Sequence, residues 1–237
     1  MINKSIIIAY STPNYAPLTK IFKESLEAVG VNAKNIKHKL DIPNRVLFKK
    51  TGFQSDLWFY CVSEKIKHLL NILKTEKTSQ EYFIFSDCDI HFIKQNKICW
   101  KELEHYINTI DPDHDIYFMR NNDLLQIELN TGFFIIKNSS KSILNCIKFL
   151  ETVSEIMEWA PHHEIPYGDQ TVINHIRHQI NYGYIPNDYV VFGTTIFNKE
   201  KALFHHAVMT NDISDKIEQI NLINRELQSQ EPTAPLT

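Results

Sequence analysis

Glu81-Tyr82-Phe83-Ile84-Phe85-Ser86-Asp87-Cys88-Asp89-Ile90 is the stretch on which the reading of this chain turns. An apolar run of strand length ends in a pair of carboxylates. Strand side chains alternate, so Asp87 and Asp89 are expected to leave on one face and Cys88 on the other, with the negative charges converging where the strand ends. Such a pair is suited to a divalent cation; the plain alternative is a strand-end turn whose aspartates are simply solvated. In open α/β sheets ligands bind at the carboxyl ends of strands. The stretch therefore points to a metal-dependent enzyme acting on an anionic substrate.

Upstream, Ser5-Ile6-Ile7-Ile8-Ala9-Tyr10 reads as a buried first strand. It is far too short to span a membrane, and no small-residue cleavage site follows a basic segment. Pro13 and Asn14 open a helix whose Leu18, Phe22, Leu26 and Val29 keep helical spacing until Gly30 stops it. A second strand is expected near 36–40, then a loop through Pro43, Lys49, Lys50 and Gly52. Trp58, Val62, Ile66, Leu69 and Leu73 form an apolar stripe on a long helix that leads to the aspartate-bearing strand.

Downstream, the pattern predicts a helix over 98–110, a strand over 115–120 and another over 129–137. Gly132 inside that last strand marks a close backbone approach. Asn138, Ser139 or Ser140 caps a helix carrying Ile143, Ile147, Leu150 and Met157 up to Trp159. Pro161 and Pro166 bracket a loop, and Asp169-Gln170-Thr171 opens a short helix. An extended stretch over 184–192, a short strand or turn over 203–208 and a last helix with Ile213, Ile217 and Ile220 complete the chain. The reading is one domain over 1–227, with a metal-bearing half to about residue 95 and a mixed half beyond it. The polar tail 228–237 is expected to fray.

The 237 residues carry a net charge of −3 and a pI near 6.4, with Lys and Glu interspersed, so no global basic field favours nucleic acid. Only 6 glycines are present and none builds a phosphate-cradling loop, so an anion needs other neutralisation. Cys61, Cys88, Cys99 and Cys146 show no zinc spacing and no disulfide framework. A reducing cytoplasm is the expected setting.

Asp87-x-Asp89 after an apolar strand, Asn130-Thr131-Gly132-Phe133-Phe134-Ile135-Ile136-Lys137, Tyr167-Gly168-Asp169-Gln170-Thr171 and the late His206-Ala207 occur in that order across nearly the whole chain. This order resembles the nucleotide-diphospho-sugar transferases of the GT-A fold. The resemblance implies an α/β, Rossmann-like sandwich with a mainly parallel central sheet and a mixed second half. It further implies transfer of a sugar from a nucleotide donor, commonly a UDP-sugar, to a carbohydrate or glycoconjugate acceptor, with a divalent cation at the Asp-x-Asp motif.

Carried over residue by residue, the resemblance makes Asp89 a direct metal ligand and Asp87 a ligand to metal or ribose. Family members often carry His-Ala followed ten residues later by lysine; His206-Ala207 and Lys216 match, which selects His206 over His205. Val208 departs from the asparagine common there. A shell of carboxylate, imidazole and diphosphate oxygens suits Mn²⁺ and tolerates Mg²⁺. Lys216 either neutralises the departing diphosphate or is solvated; Lys65 either snorkels or reaches phosphate or ribose.

Asn130 faces the donor sugar or sits in an edge turn. Asp169 and Gln170 are placed for sugar hydroxyls, Asp169 doubling as a helix cap. Tyr10, Ser11 and Thr12 end the first strand, where the family places nucleobase and ribose; a buried tyrosine with a satisfied hydroxyl is the plainer reading. Trp159 and Tyr167 form an acceptor platform or pack inward, and His175 and His178 read as surface residues. Inversion needs a carboxylate base, for which Asp169 is the candidate, whereas the similar-looking relatives are mostly retaining, so retention is favoured. The rival readings are a metal-dependent nucleotidyl or phosphoryl transferase and a noncatalytic sugar-nucleotide-binding module. The first usually shows a basic glycine-rich loop after strand one, which Ser11-Thr12-Pro13-Asn14-Tyr15 is not.

Overall fold

A computed structural model describes residues 1–43, 55–121, 128–159, 168–208, 210 and 212–229. The expected loop residues Lys49, Lys50, Gly52, Pro161, Pro166 and Tyr167, and most of the tail, lie outside them. The first half alternates as expected: β1 (Ser5–Ser11), α1 (Ala16–Ala28), β2 (Ile36–Leu40), α2 (Asp56–Thr75), β3 (Tyr82–Ser86) and β4 (Ile90–Phe92). Then come α3 (Cys99–His105), β5 (Ile116–Arg120), β6 (Leu129–Lys137), α4 (Ser140–Trp159), α5 (Asp169–Ile176), β7 (Tyr182–Tyr184), β8 (Val190–Phe192), β9 (Phe204–His206) and α6 (Ile213–Gln228).

The main sheet has the order β2-β1-β3-β6-β5-β7. Pairings of β1 with β2 and β3, and of β5 with β7, are parallel, while β6 runs antiparallel to both β3 and β5. The strand ends 11, 40, 86, 120 and 184 therefore share one sheet edge with the start of β6.

Period-two alternation divides the strand side chains between two cores. Ile7, Ala9, Ile84, Phe133, Ile135 and Tyr117 face α1 and α3, while Ile8, Phe83, Phe85, Phe118, Phe134 and Ile136 face α2, α4 and α5. The sheet is thus covered on both sides, which is why β1, β3 and β6 read as nearly continuous apolar runs.

Two expectations change in detail and an open choice is resolved. The helix over 98–110 is α-helical only to His105 and closes in a π turn, Tyr106–Ile110. The stretch over 184–192 is split by a 3-10 turn, Asn187–Tyr189, where Pro186 precedes the turn and breaks the ladder. Of the three cap candidates for α4, Ser139 takes the position, its Oγ accepting from the Ser142 N–H at 3.1 Å.

A small second sheet, β4-β9-β8, brings the late segment back to the aspartates. Ile90 lies opposite His206 in the antiparallel β4/β9 pair, and the Ala207 N–H donates to the Asp89 carbonyl at 3.0 Å. Phe204 stacks on Phe133 with ring centroids 4.0 Å apart, locking β9 against the main sheet. Each fully buried phenylalanine of this kind contributes roughly 1.5–3 kcal/mol.

Candidate metal and donor site

β3 stops at Ser86, so Asp87 and Asp89 do not project from the strand itself; they sit on the turn to β4, closed by the Ile90 N–H donating to the Asp87 carbonyl at 3.3 Å. The alternation nevertheless persists. Cys88 turns into the core toward the Tyr10 carbonyl, and the carboxylates turn to the sheet edge. One ligand atom from each of Asp87, Asp89 and His206 lies within 4.8 Å of the others.

Asp89 is buried, and Lys216 of α6 holds its Oδ2. Its Oδ1 lies 3.4 Å from His206 Nε2 and is a buried oxygen with no hydrogen-bond partner among the described residues. Such an orphaned oxygen costs free energy unless something completes it. With Asp87 and the imidazole beside it, this mixed oxygen and nitrogen donor set fits a divalent cation of the Mn²⁺ or Mg²⁺ kind.

Gly132 is pressed against this group. A Cβ there would stand 2.5 Å from His206 Cε1 and 3.0 Å from both His206 Nε2 and Asn130 Oδ1, so the close approach expected at this glycine is to the His206 ring. The Gly132 carbonyl accepts from the Asp87 N–H at 2.7 Å, which joins the turn to β6.

A model of the nucleotide-diphospho-sugar transferases matches residues 20–220. The chain belongs to that family. Solved structures that resemble this transferase share the GT-A glycosyltransferase fold. One, a glycosyltransferase involved in glycosylation of the major capsid of PBCV-1, has a TM-score of 0.60 at 18% identity over 93% of this chain and 98% of that one. The galactosyltransferase LgtC, solved with donor and acceptor sugar analogues, gives 0.53 at 12% identity over 92% and 95%. The glycosyltransferase GlyE of Streptococcus pneumoniae TIGR4 gives 0.54 at 13% identity, covering 95% of this chain and 63% of GlyE. No curated protein matches. Among the described residues no helix is long and apolar enough to cross a membrane.

Around the transferase's aspartates the charges are arranged in pairs. Lys65 of α2 does not snorkel: it is buried between Asp169, at 2.5 Å, and Asp87, at 3.3 Å, with its ammonium over the Phe85 ring. Burial alone would depress its pKa, but the charges of Asp169 and Asp87 reverse this and raise it above the usual lysine value. Lys216 is likewise not solvated; burial opposes its charge, and Asp89 more than compensates. Asp89 shows the reciprocal effect, its carboxyl held far below the usual range by His206 and Lys216 despite burial. Asp87 shifts the other way, because burial and the negative charges of Asp89 and Asp169 outweigh the help from Lys65.

Asp87 therefore carries a stability cost in the metal-free protein. A carboxyl whose folded pKa lies above its ordinary 3.8 destabilises the fold as pH rises through that interval. Metal-free Asp87→Asn should melt at a higher temperature than wild type at pH 7, with the difference vanishing below the ordinary carboxylate range. Calorimetry across pH checks this. A variant that melts below wild type at neutral pH would show that the Lys65 contact dominates instead.

The remaining expected residues fall as follows. Asp169 is the first residue of α5, and Gly168, not Asp169, occupies the cap position. Its carboxylate is taken by Lys65, because a buried ammonium draws it harder than a helix N–H. Gln170 is half-buried at the same helix start. Asn130 is buried, its Oδ1 accepting from the Gly132 N–H at 2.9 Å and its Nδ2 donating to Asn121 Oδ1 at 2.7 Å.

Tyr10 is buried, and its hydroxyl donates to Asp41 Oδ2 at 2.7 Å. Ser11 shares a hydrogen bond with His38 Nε2 at 2.8 Å, and Thr12 bonds Asn14. His205 points away from the aspartates to the Gly193 carbonyl, 2.8 Å away, and burial pushes its pKa down to about 3. His175 and His178 are exposed, and Trp159, the last residue of α4, is half-exposed.

Tyr15 was not anticipated. Lys216 lies over its ring at 6.0 Å, and burial together with the charges of Asp89 and Asp87 raises its hydroxyl pKa against the pull of Lys216. Only its place just before α1, at the β1 edge of the sheet, could have signalled this.

Proposed function

We propose that this transferase moves a sugar from a UDP-linked donor to an acceptor hydroxyl with Mn²⁺ held by Asp87, Asp89 and His206, and with retention at the anomeric carbon. The observation that carries the reading is the convergence of three ligand atoms from Asp87, Asp89 and His206 within 4.8 Å at a sheet edge, beside an Asp89 Oδ1 that has no hydrogen-bond partner among the described residues. When bound, the cation supplies electrostatic stabilisation of the departing diphosphate.

The chain's own residues do the rest. Lys216 and Lys65 each hold one oxygen of an aspartate, leaving the other to ligate, and Gly132 lets the His206 ring close the site. Asn130, held by Asn121 and Gly132, is oriented beside that ring for the donor sugar. Tyr10, Ser11 and Thr12 line the β1 end assigned to nucleobase and ribose, with Gln170 beside the transferred sugar. Retention is supported by Asp169: an inverting base must be free to accept a proton, and this carboxylate is committed to a buried lysine. A second unit is not needed to complete the site, which favours a single domain over 1–227. No disulfide joins any two of the four cysteines, in keeping with a reducing cytoplasm.

The test is a thermal-shift screen of UDP, GDP and CMP with and without Mn²⁺. UDP with Mn²⁺ should raise the melting temperature more than either component alone, the linkage being about 2.7 kcal/mol at a hundredfold excess over Kd. Equal stabilisation with and without the metal would remove the cation from the proposal, and no response to any nucleotide would remove the donor.

A further inference from the structure

Arg120 ends β5 on the site edge of the sheet, and nothing in the donor site uses it. Its guanidinium lies 4.9 Å from the centre of the Tyr184 ring, at the end of β7. Among the described residues its buried Nε has no hydrogen-bond partner and Arg120 makes no ion pair. The neighbouring carboxylate, Glu128, is already taken by Asn121 Nδ2 at 3.0 Å. An always-charged fork with a desolvated, unpaired N–H is an incomplete arrangement.

A second cation acts on the same ring. Burial and Tyr182 raise the Tyr184 hydroxyl pKa, and the charges of Arg177 and Arg120 both oppose them. Tyr182 and Tyr184 themselves pack edge to face with centroids 5.6 Å apart. Arginines around a half-buried aromatic platform suit a sugar that carries an anionic group: the ring stacks on the sugar and the fork takes a carboxylate or phosphate.

The strand order says which sugar. Both tyrosines face the core shared with α2 and α5, the side from which Lys65 reaches Asp87. Three strand spacings, β3 to β6 to β5 to β7, separate Asp87 from Tyr184, about 14 Å. A diphosphate at β3 and a transferred sugar over β6 place the acceptor over β5 and β7. We infer that Arg120 and Tyr184, with Arg177 alongside, form an acceptor subsite for an acidic sugar. The inference rests on the donor reading for its orientation.

Binding of methyl β-glucuronide, glucose 6-phosphate and methyl β-glucoside should be measured calorimetrically with and without UDP and Mn²⁺. Wild type should bind the acidic sugars at least tenfold tighter than the neutral glucoside. Arg120→Gln should erase the difference, and Arg120→Lys, which keeps the charge but not the fork, should retain part of it and serves if the glutamine variant fails to fold. Equal affinity for acidic and neutral sugars in wild type, or an undiminished preference in Arg120→Gln, overturns the subsite. A preference for UDP-glucuronate over UDP-glucose that Arg120→Gln removes would move the acid group to the donor and overturn the acceptor assignment. Acid preference persisting where UDP has no thermal effect would leave the subsite standing and count against the donor reading alone.

Discussion

Asp89→Asn is expected to abolish the Mn²⁺-dependent response to UDP and to lower transferase turnover by at least ~10²-fold, the size of removing one preorganised charge stabiliser. The substitution keeps the volume and removes the charge. It should also cost stability, because Lys216 would be left buried without its carboxylate partner, a loss of about 3–5 kcal/mol for a broken buried pair. The sign of the pH dependence follows from the depressed pKa of Asp89. That carboxylate stabilises the fold above its ordinary 3.8 and ceases to do so as pH falls toward its folded value. Wild type should therefore lose stability on acidification more steeply than Asp89→Asn, and the gap between them should narrow. Turnover with donor and a glycoside acceptor, alongside melting curves from pH 7 downward, measures both. A variant that keeps its Mn²⁺ response would take Asp89 out of the metal site.

Lys65→Met should be nearly as damaging by a different route. The methionine fills most of the lysine's volume but leaves Asp87 and Asp169 facing each other with no cation between them. A cost of about 3–5 kcal/mol at neutral pH is expected, again the size of an uncompensated buried charge. The cost should shrink on acidification as Asp87, whose pKa is already raised by burial, takes up its proton. Adding Asp169→Asn should return much of the loss, because the repulsive partner is then gone; a double-mutant cycle by denaturant unfolding reads the coupling. Additive losses in the double variant would mean that Lys65 acts through packing rather than charge.

Most secondary structure could be read from the chain because local rules and tertiary burial agree. The apolar runs of β1, β3 and β6 are buried on both faces, and the stripe from Trp58 to Leu73 follows α2. Disagreement arose where a short-range signal had two outcomes. Asp169 is as good a cap as a salt-bridge partner, and only the arrival of Lys65 from α2 decides between them. Lysine side chains are long and flexible, so neither Lys65 nor Lys216 carries a local mark of its burial. Gly132 did carry one, since a glycine in a buried strand needs a neighbour, but the identity of that neighbour, His206, came from β9.

By itself the amino-acid order determined the alternation of strands and helices, the place where the carboxylates gather and, through four ordered motifs, the family. These follow from side-chain periodicity and backbone preference, which act over a few residues. Tertiary structure alone decided that Lys216 and Lys65 neutralise the aspartates, that the Tyr10 hydroxyl bonds Asp41 and that Arg120 stands beside Tyr184 with no ion pair among the described residues. Those outcomes depend on which charges meet once water is excluded, and segments far apart in the chain set that only when the sheet has assembled.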